Sequence, residues 1–459
     1  MKTTHIVITL IIVQVLTACS AVKQCKTPEL NLPETIVAGT YDTLTIADIE
    51  WWRFYGDSNL CDIINRTLDY NRNIKAAVAH IEQLREFYRI KKADLLPSVT
   101  INVMADHETN NYAGQPSKQD PEFDLKANIS WEADLWGRLR WAKRKGEAEW
   151  LASVEDERAL RMTLIAEVAD AYFRLVALDN EISIVHRTLE TRREGVAKAK
   201  LRFEGGLTSE LVYQQAQVEY ATTAALIPDL EKRIKITENT LCLLMGAYPG
   251  EKIYRSCADD AFLAPDSVPV GIPSQLLKRR PDIRVSELQL IASMSEVGVA
   301  YADRFPRLTF NLQGGWENDD LKGFFSSPFS YVAGQLVSPV FSFGKKKARY
   351  KAALAAYDES RIKYEQKVLE VMKETDDAVT TYRNVRETTA LKRDSRNAAL
   401  KYVKLAELQY RAGSINYIEV LDAQRRYFDA QIGLSNAVRD ENLALVQLYK
   451  ALGGGWKST

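Results

Sequence analysis

Apolar positions recur on a heptad through the middle of the chain: Leu164, Val168, Ala171, Leu175, Leu178, Ile182, Val185, Leu189, then Val196, Ala199 and Phe203. The steps alternate between four and three, and only the slot at Arg192 is polar. No proline interrupts the stretch from about Arg138 to about Glu204. The pattern predicts one continuous helix, a rod of roughly 100 Å at about 1.5 Å per residue. Globular helices average about 11–12 residues. A rod this long has no compact core of its own and needs partner helices along its length.

A second such run lies in the same chain. From about Lys345 to Arg411 there is again no proline, and Val368, Met372, Val379 and Tyr382 keep the rhythm, with Thr375 in the slot between. Both runs end on similar punctuation, Arg202-Phe203-Glu204-Gly205-Gly206 and Gln409-Tyr410-Arg411-Ala412-Gly413. Each continues into a further helix that closes on Leu244-Met245-Gly246 or Ala451-Leu452-Gly453. Gly206 to Gly413 and Gly246 to Gly453 are the same displacement of 207 residues, and Trp136-Gly137-Arg138 to Phe343-Gly344-Lys345 keeps it. Leu96-Pro97-Ser98-Val99-Thr100 matches Phe305-Pro306-Arg307-Leu308-Thr309 at 209, so the second copy is two residues shorter between those landmarks. The chain is a tandem duplication with a period too long for a solenoid.

Ahead of the long runs, shorter patterns appear. Trp51-Trp52-Arg53-Phe54-Tyr55-Gly56-Asp57 opens a helical region in which Leu60, Ile63, Ile64 and Leu68 share a face. Asn71-Arg72-Asn73 breaks it, and Ile74 to Leu96 forms a second helix ended by Pro97. The period then becomes alternating. Val99, Ile101 and Val103 alternate with Ser98, Thr100 and Asn102. After a polar loop, Phe123, Leu125, Ala127, Ile129, Trp131, Ala133 and Leu135 alternate with Asp124, Lys126, Asn128, Ser130, Glu132 and Asp134. In the second copy the apolar set reads Leu308, Phe310 and Leu312, then Phe329, Tyr331, Ala333, Val337 and Phe341. Each copy thus carries a long hairpin with one apolar face and aromatics near the strand ends, as in a membrane β-barrel girdle. A soluble hairpin on its own is marginal. Each chain supplies four strands, fewer than the roughly eight of the smallest single-chain barrels. Several chains must therefore contribute, and three would give a wide twelve-stranded lumen.

Basic and acidic residues balance at 61 each, which gives no reason to expect nucleic acid as a partner. No internal apolar run is long enough for a transmembrane helix. Lys2 followed by the apolar stretch Ile6 to Leu16 reads as a cleaved targeting signal, residues 1–18. It ends in Leu16-Thr17-Ala18-Cys19, which resembles a bacterial lipobox with Cys19 as the lipidated mature N-terminus. Ser20 after the cysteine resembles the pattern of lipoproteins sorted to the outer membrane. A multiply acylated cysteine anchors far more firmly than one chain does. Cys242 and Cys257 flank a short Gly/Pro-containing turn, which leaves a disulfide or two separate thiols open. His80, His107 and His186 sit in no metal or catalytic spacing, and no phosphate loop or nucleophile elbow is present. The expectation is a non-enzyme with no metal and no cofactor beyond the Cys19 lipid, a diacylglyceryl thioether with an N-acyl chain.

Several stretches together resemble the TolC-like outer membrane factors, in the lipid-anchored NodT-like branch that serves tripartite efflux systems. They are Trp51-Trp52 with Gly56-Asp57, then Trp131-Glu132-Ala133-Asp134-Leu135-Trp136-Gly137-Arg138. Arg279-Arg280-Pro281-Asp282-Ile283-Arg284 leading to Phe305-Pro306, and Val420-Leu421-Asp422-Ala423-Gln424, complete the set. The likeness covers nearly all of the mature chain. It implies a mainly α fold with a membrane β-barrel portion: duplicated long antiparallel coiled helices in a trimeric α-barrel, and a shared 12-stranded β-barrel. It also implies a periplasmic tip closed by inward-coiled helices and an acidic ring. By motif position that ring falls on Asp422, with Glu419 one turn earlier, and Tyr410 matches a tyrosine that locks the tip in some relatives. The equivalent positions in the first copy are Val212 and Gln215, so Tyr410 needs a different partner here. The tips at Gly205, Gly206, Gly413 and Ser414 would meet a periplasmic adaptor, itself coupled to an inner-membrane pump of the RND type. Arg280 and Pro281 read as architecture, with Pro at a helix start.

The resulting plan is a signal peptide (1–18), a lipidated tail (19–45) and a first efflux repeat (46–246) with hairpin 97–135 and helices 138–246. A connector (247–273) leads to a second repeat (274–459) with hairpin 306–342 and helices 345–452. The function expected is that of an outer-membrane exit duct passing small molecules such as drugs. Metal-ion efflux and type I protein secretion are alternatives within transport. A structural coiled-coil lipoprotein would account for the heptads but not for the alternating hairpins or the duplication.

Overall fold

The computed structural model describes residues 28, 45–111, 113–114, 118–256, 269, 273–338 and 341–455. The leader with Cys19, most of the tail, and Cys257 lie outside the described residues. In chain order the elements are α1 (Trp51–Tyr55), α2 (Ser58–Tyr70), α3 (Arg72–Ala93), β1 (Ser98–Asn110), β2 (Lys118–Ala133), α4 (Arg138–Glu204), α5 (Glu210–Ala224) and α6 (Leu226–Leu244). Then follow α7 (Pro273–Arg279), α8 (Pro281–Ala302), β3 (Arg307–Asn318), β4 (Pro328–Val337), α9 (Lys345–Arg411) and α10 (Tyr417–Ala451). The long helices α4 and α9 have 67 residues each. No described helix is long and apolar enough to cross a membrane. The return helix of the first copy is broken at Ala225, because Pro228 has no N–H to give the carbonyl of Ala224.

Two compact units divide the chain. The first is built from Ala79–Glu155 and Ile283–Lys367. Its centre is one antiparallel sheet in the order β1-β2-β3-β4, with β1 and β4 at the edges. Pairing aligns Val99, Ile129, Leu312 and Val332 in one row across the sheet, and Val103, Leu125, Trp316 and Pro328 in another. Trp131 stacks on Phe310 with ring centres 6.0 Å apart. The opposite face carries Asn128, Lys126, Gln313 and Asn311. The register corrects the sequence reading of β4. Tyr331, Ala333 and Val337 pair with Gln313, Asn311 and Arg307, so with Phe329 they lie on the polar face. The apolar face of β4 is Pro328, Val332 and Leu336, interrupted by Ser330 and Gly334. That interruption hides the true alternation, since both parities of this strand hold apolar residues.

The segment joining β2 to α4 shows what its motif does. Asp134 caps α4 by accepting the N–H groups of Leu139 and Arg140, both at 3.0 Å. Glu132 takes a two-pronged ion pair from Arg138, at 3.1 and 2.8 Å. Trp136 donates its indole N–H to the Pro306 carbonyl at 2.7 Å and stacks on Phe305. Gly137 turns the chain at φ +77°, a conformation that favours glycine. Further along α4, Trp141 lies so close to Gly298 of α8 that any Cβ there would fall 2.4 Å from its ring.

The second unit comprises the described residues of Asn31–Val78, Asp156–Asp282 and Val368–Thr459. Its core joins Trp51, Phe54, Tyr55, Leu60 and Ile64 to Val168, Tyr172 and Leu175 of α4 and to Leu445, Leu448 and Tyr449 of α10. Phe54 stacks on Tyr449 at 4.1 Å. Asp57 caps α2 and also accepts the Tyr172 hydroxyl at 2.7 Å, and burial pushes that phenol up to about 12. Cys242 is a buried free thiol directed at the Glu251 carbonyl. The heptad positions of α4 from Leu164 to Ala199 are buried or half-buried, and so are Val368, Met372, Thr375, Val379 and Tyr382 of α9.

The polar slots in the two heptads are satisfied. Arg192 is 7 % exposed and donates to the Glu219 carbonyl at 2.7 Å, to the Glu219 carboxylate and to Thr223. Burial pushes its pKa down while Glu219 holds it up. Thr375 returns its hydroxyl to the Val371 carbonyl at 2.8 Å. Arg280, also buried, donates to the carbonyl of Ala451 at the end of α10 and pairs with Asp282 and Glu374. A cation at a helix C-terminus complements its dipole. Pro281 then opens α8, so the Arg-Pro pair is architectural.

Candidate functional site

The residues singled out for the tip lie in the second unit, where α4 turns into α5 and α9 into α10. Both turns are the same hydrogen-bonded device. The N–H of Leu207 reaches the Arg202 carbonyl at 2.8 Å, and that of Gly206 the Phe203 carbonyl at 2.9 Å. In the second copy Ser414 reaches Gln409 at 2.9 Å and Gly413 reaches Tyr410 at 3.0 Å. Gly206 and Gly413 hold φ of +67° and +77°, the left-handed position that ends such a helix. Gly205, Gly206, Gly413 and Ser414 are all exposed, as are Leu207 and Leu211 beside them.

Each turn is backed by an aromatic pair. Phe203 stacks on Tyr213 at 6.1 Å, and Tyr410 meets Tyr417 at 5.3 Å. The Arg202 guanidinium lies 5.6 Å from the centre of the Tyr410 ring. Tyr410 therefore finds its partners in Arg202 and Tyr417 in place of the missing first-copy acid. Tyr417 packs against Gly195 of α4 so tightly that a Cβ there would sit 2.7 Å from its hydroxyl. Burial is the main cause that raises the Tyr417 phenol above its usual range. A cleft of about 300 Å³ opens among Leu201, Thr208, Val212, Tyr410 and Tyr417. Sequence reasoning missed Gly195, Arg202 and Tyr417. A glycine inside an unbroken helix was the available sign of a close approach.

The acids sit on the first turns of α10. Glu419 is exposed. Asp422 accepts from Arg426 Nε at 2.7 Å and from Arg425 at 2.6 Å, on its own helix. The hydrogen bond from Arg426, with Arg425 beside it, holds the Asp422 carboxyl below the usual carboxylate range. Glu419, Asp422, Arg425 and Arg426 together carry no net charge. Along α10 the acids thus come first, with the arginines that pair with Asp422 one turn deeper.

A family model described as outer membrane efflux protein matches residues 63–247 and 272–454. The chain belongs to the outer membrane efflux protein family. This efflux protein is 30% identical to the toluene efflux pump outer membrane protein TtgI of Pseudomonas putida, over 88% of this chain and 87% of that one. It is 27% identical to the probable outer membrane lipoprotein SilC of Salmonella typhimurium, over 89% of this chain and 88% of that one. Among solved structures, the outer-membrane channel OprN superposes with a TM-score of 0.88 at 28% identity, covering 94% of this chain and 98% of that one. The mainly helical fold of this chain is shared with that outer-membrane channel over nearly its whole length.

Proposed function

We propose that three copies of this chain form the exit duct of a tripartite efflux pump, held in the outer membrane by their strands and by lipid on Cys19. One observation carries the reading: the four-stranded sheet has an apolar face and two edges, β1 and β4, that no other described strand pairs with. In hydrocarbon an open edge leaves backbone groups without partners, and four strands cannot close on themselves. Three sheets joined edge to edge make twelve strands around a lumen lined by the polar face. The paired long helices continue the duct as an α-barrel. The name of the relative SilC supports the lipid anchor, and that of TtgI supports small apolar molecules as passively conducted cargo. The exposed Leu207 and Leu211 at the tip offer an apolar landing for the periplasmic adaptor that links the duct to an RND-type pump.

Single-channel recording on the full-length, membrane-extracted trimer tests this. The wild-type tip patch sums to zero but its acids lie nearer the turn than its arginines, and a modest cation preference is expected from that order. Glu419→Gln with Asp422→Asn leaves Arg425 and Arg426 alone, and selectivity should move toward anions. A folded trimer that passes no current would overturn the duct reading. Unchanged selectivity in the double variant would remove these acids from the mouth and leave the duct intact.

A further inference from the structure

Alternation along β2 puts Glu122, Asp124 and Lys126 on the polar face of the sheet. Pairing sets Glu317 of β3 directly opposite Asp124, and Asp106 of β1 directly opposite Glu122. One carboxylate oxygen each from Glu122, Asp124 and Glu317 lies within 4.8 Å of the others. Lys126 pairs with Asp124 Oδ2 and reaches Glu317 at 3.2 Å and Glu122 at 3.9 Å. A single ammonium therefore serves three carboxylates, and Asp106 adds a fourth negative charge nearby. Asp124 is only 3 % exposed, and its Oδ1 is buried with no hydrogen-bond donor among the described residues. A buried carboxylate oxygen without a partner bears its full desolvation cost. Lys126 does not relieve that cost, because it sits on the other oxygen. The neighbouring position on β3 is Gly315, which presents no side chain to crowd the cluster.

We infer that Glu122, Asp124 and Glu317 form a divalent-cation site for Ca²⁺, with Asp124 Oδ1 as its buried ligand. Hard cations of this class take carboxylate oxygens, and Ca²⁺ accepts irregular geometry where Mg²⁺ demands a near-ideal octahedron. Lys126 occupies part of the same space and competes, so the site is a weak one, in the range of about 10⁻⁴–10⁻³ M typical of extracellular modules. The cluster lies toward the β1–β2 hairpin end of the sheet, away from α3 and α4. Only its placement at the outer mouth of a lumen rests on the duct reading.

The test is calorimetric titration of Ca²⁺ alone into the full-length protein, purified in detergent and stripped with chelator. Folding of each variant is checked by heat-modifiable migration. Wild type should show saturable binding of one Ca²⁺ per chain, with Mg²⁺ weaker. Asp124→Asn and Glu317→Gln should each weaken it by about tenfold or more, since each removes one of only three carboxylate ligands. Lys126→Met should tighten it by about tenfold, because a like charge leaves the site. That gain is one a misfolded variant cannot produce. Absence of saturable binding in folded wild type, or binding that survives both amide substitutions, overturns the site. Binding is read separately from conductance, so a protein that binds Ca²⁺ but carries no current would sink the duct and keep the site.

Discussion

The register of β4 makes the sharpest prediction, because it separates neighbouring residues that look alike in the sequence. Val332 shares a row with Val99, Ile129 and Leu312, whereas Tyr331 pairs with Gln313 on the other face. In the barrel, Val332 and Ile129 contact lipid, and Tyr331 and Asn128 face the lumen. Depth follows from the strand. Ile129 lies four residues from the end of β2 at Ala133. At about 3.3 Å per residue and a tilt of about 40°, that is roughly 10 Å of height in an apolar band about 25 Å tall. The row therefore sits near the midplane, where arginine costs about 2–4 kcal/mol per chain. Val332→Arg and Ile129→Arg should each lose that much. Tyr331→Arg and Asn128→Arg should lose far less, since their side chains stay in water. The assay is reversible urea unfolding from phospholipid vesicles, followed by tryptophan fluorescence, with gel migration as a second readout. Equal tolerance at Val332 and Tyr331, or a larger loss at Tyr331, would refute both the register and the membrane placement of the face.

Three further outcomes are expected. Arg192→Met removes one partner of a buried pair and should cost about 3 kcal/mol, the low end for such a break because Glu219 keeps 22% exposure; the denaturant midpoint reads it, and adding Glu219→Gln should recover part of the loss. Glu181 is buried 3.8 Å from Arg233 and 3.9 Å from Arg439, and burial raises its carboxyl pKa. Its folded state holds the proton more tightly than the unfolded chain, so that stability is present below the ordinary carboxylate range and lost as pH rises through the folded value. Glu181→Gln should therefore raise the melting temperature at pH 7, with the advantage gone below about pH 4; an advantage that grows in acid contradicts this. Cys19→Ala should abolish lipidation, and intact-protein mass checks it: a wild-type mature N-terminus without acyl mass rules the anchor out.

Much of the frame was legible because it rests on periodicity and punctuation. The heptads of α4 and α9 and the Gly206 and Gly413 stops are local signals, and each has one physical solution. The β-hairpins were legible as hairpins, but the phase of β4 was not. Its register is set by pairing with β3, a relation between residues such as Tyr331 and Gln313 that no single strand records. The same limit applies to the tip. Tyr410 was visible by resemblance, yet its contacts with Arg202 and Tyr417 depend on how α4, α9 and α10 come together. Arg192 stood out as a break in the heptad, but its partners Glu219 and Thr223 lie one helix further on.

The duplication explains why the Glu419 and Asp422 pair is confined to one copy. Both copies end their long helix with the same carbonyl-capping turn, since a helix that must reverse needs a left-handed residue whatever its side chains do. Gly206 and Gly413 meet that need identically, and the backbone hydrogen bonds match pair for pair. The residues one turn into the return helices are under no such constraint. Val212 and Gln215 stand in the first copy where Glu419 and Asp422 stand in the second. A trimer built from this chain therefore alternates tips with and without carboxylates at these two positions, three of each. Neutralising the second-copy acids changes charge at every other tip while leaving all six turns intact. That is why selectivity, and not assembly, is the quantity the double variant should move.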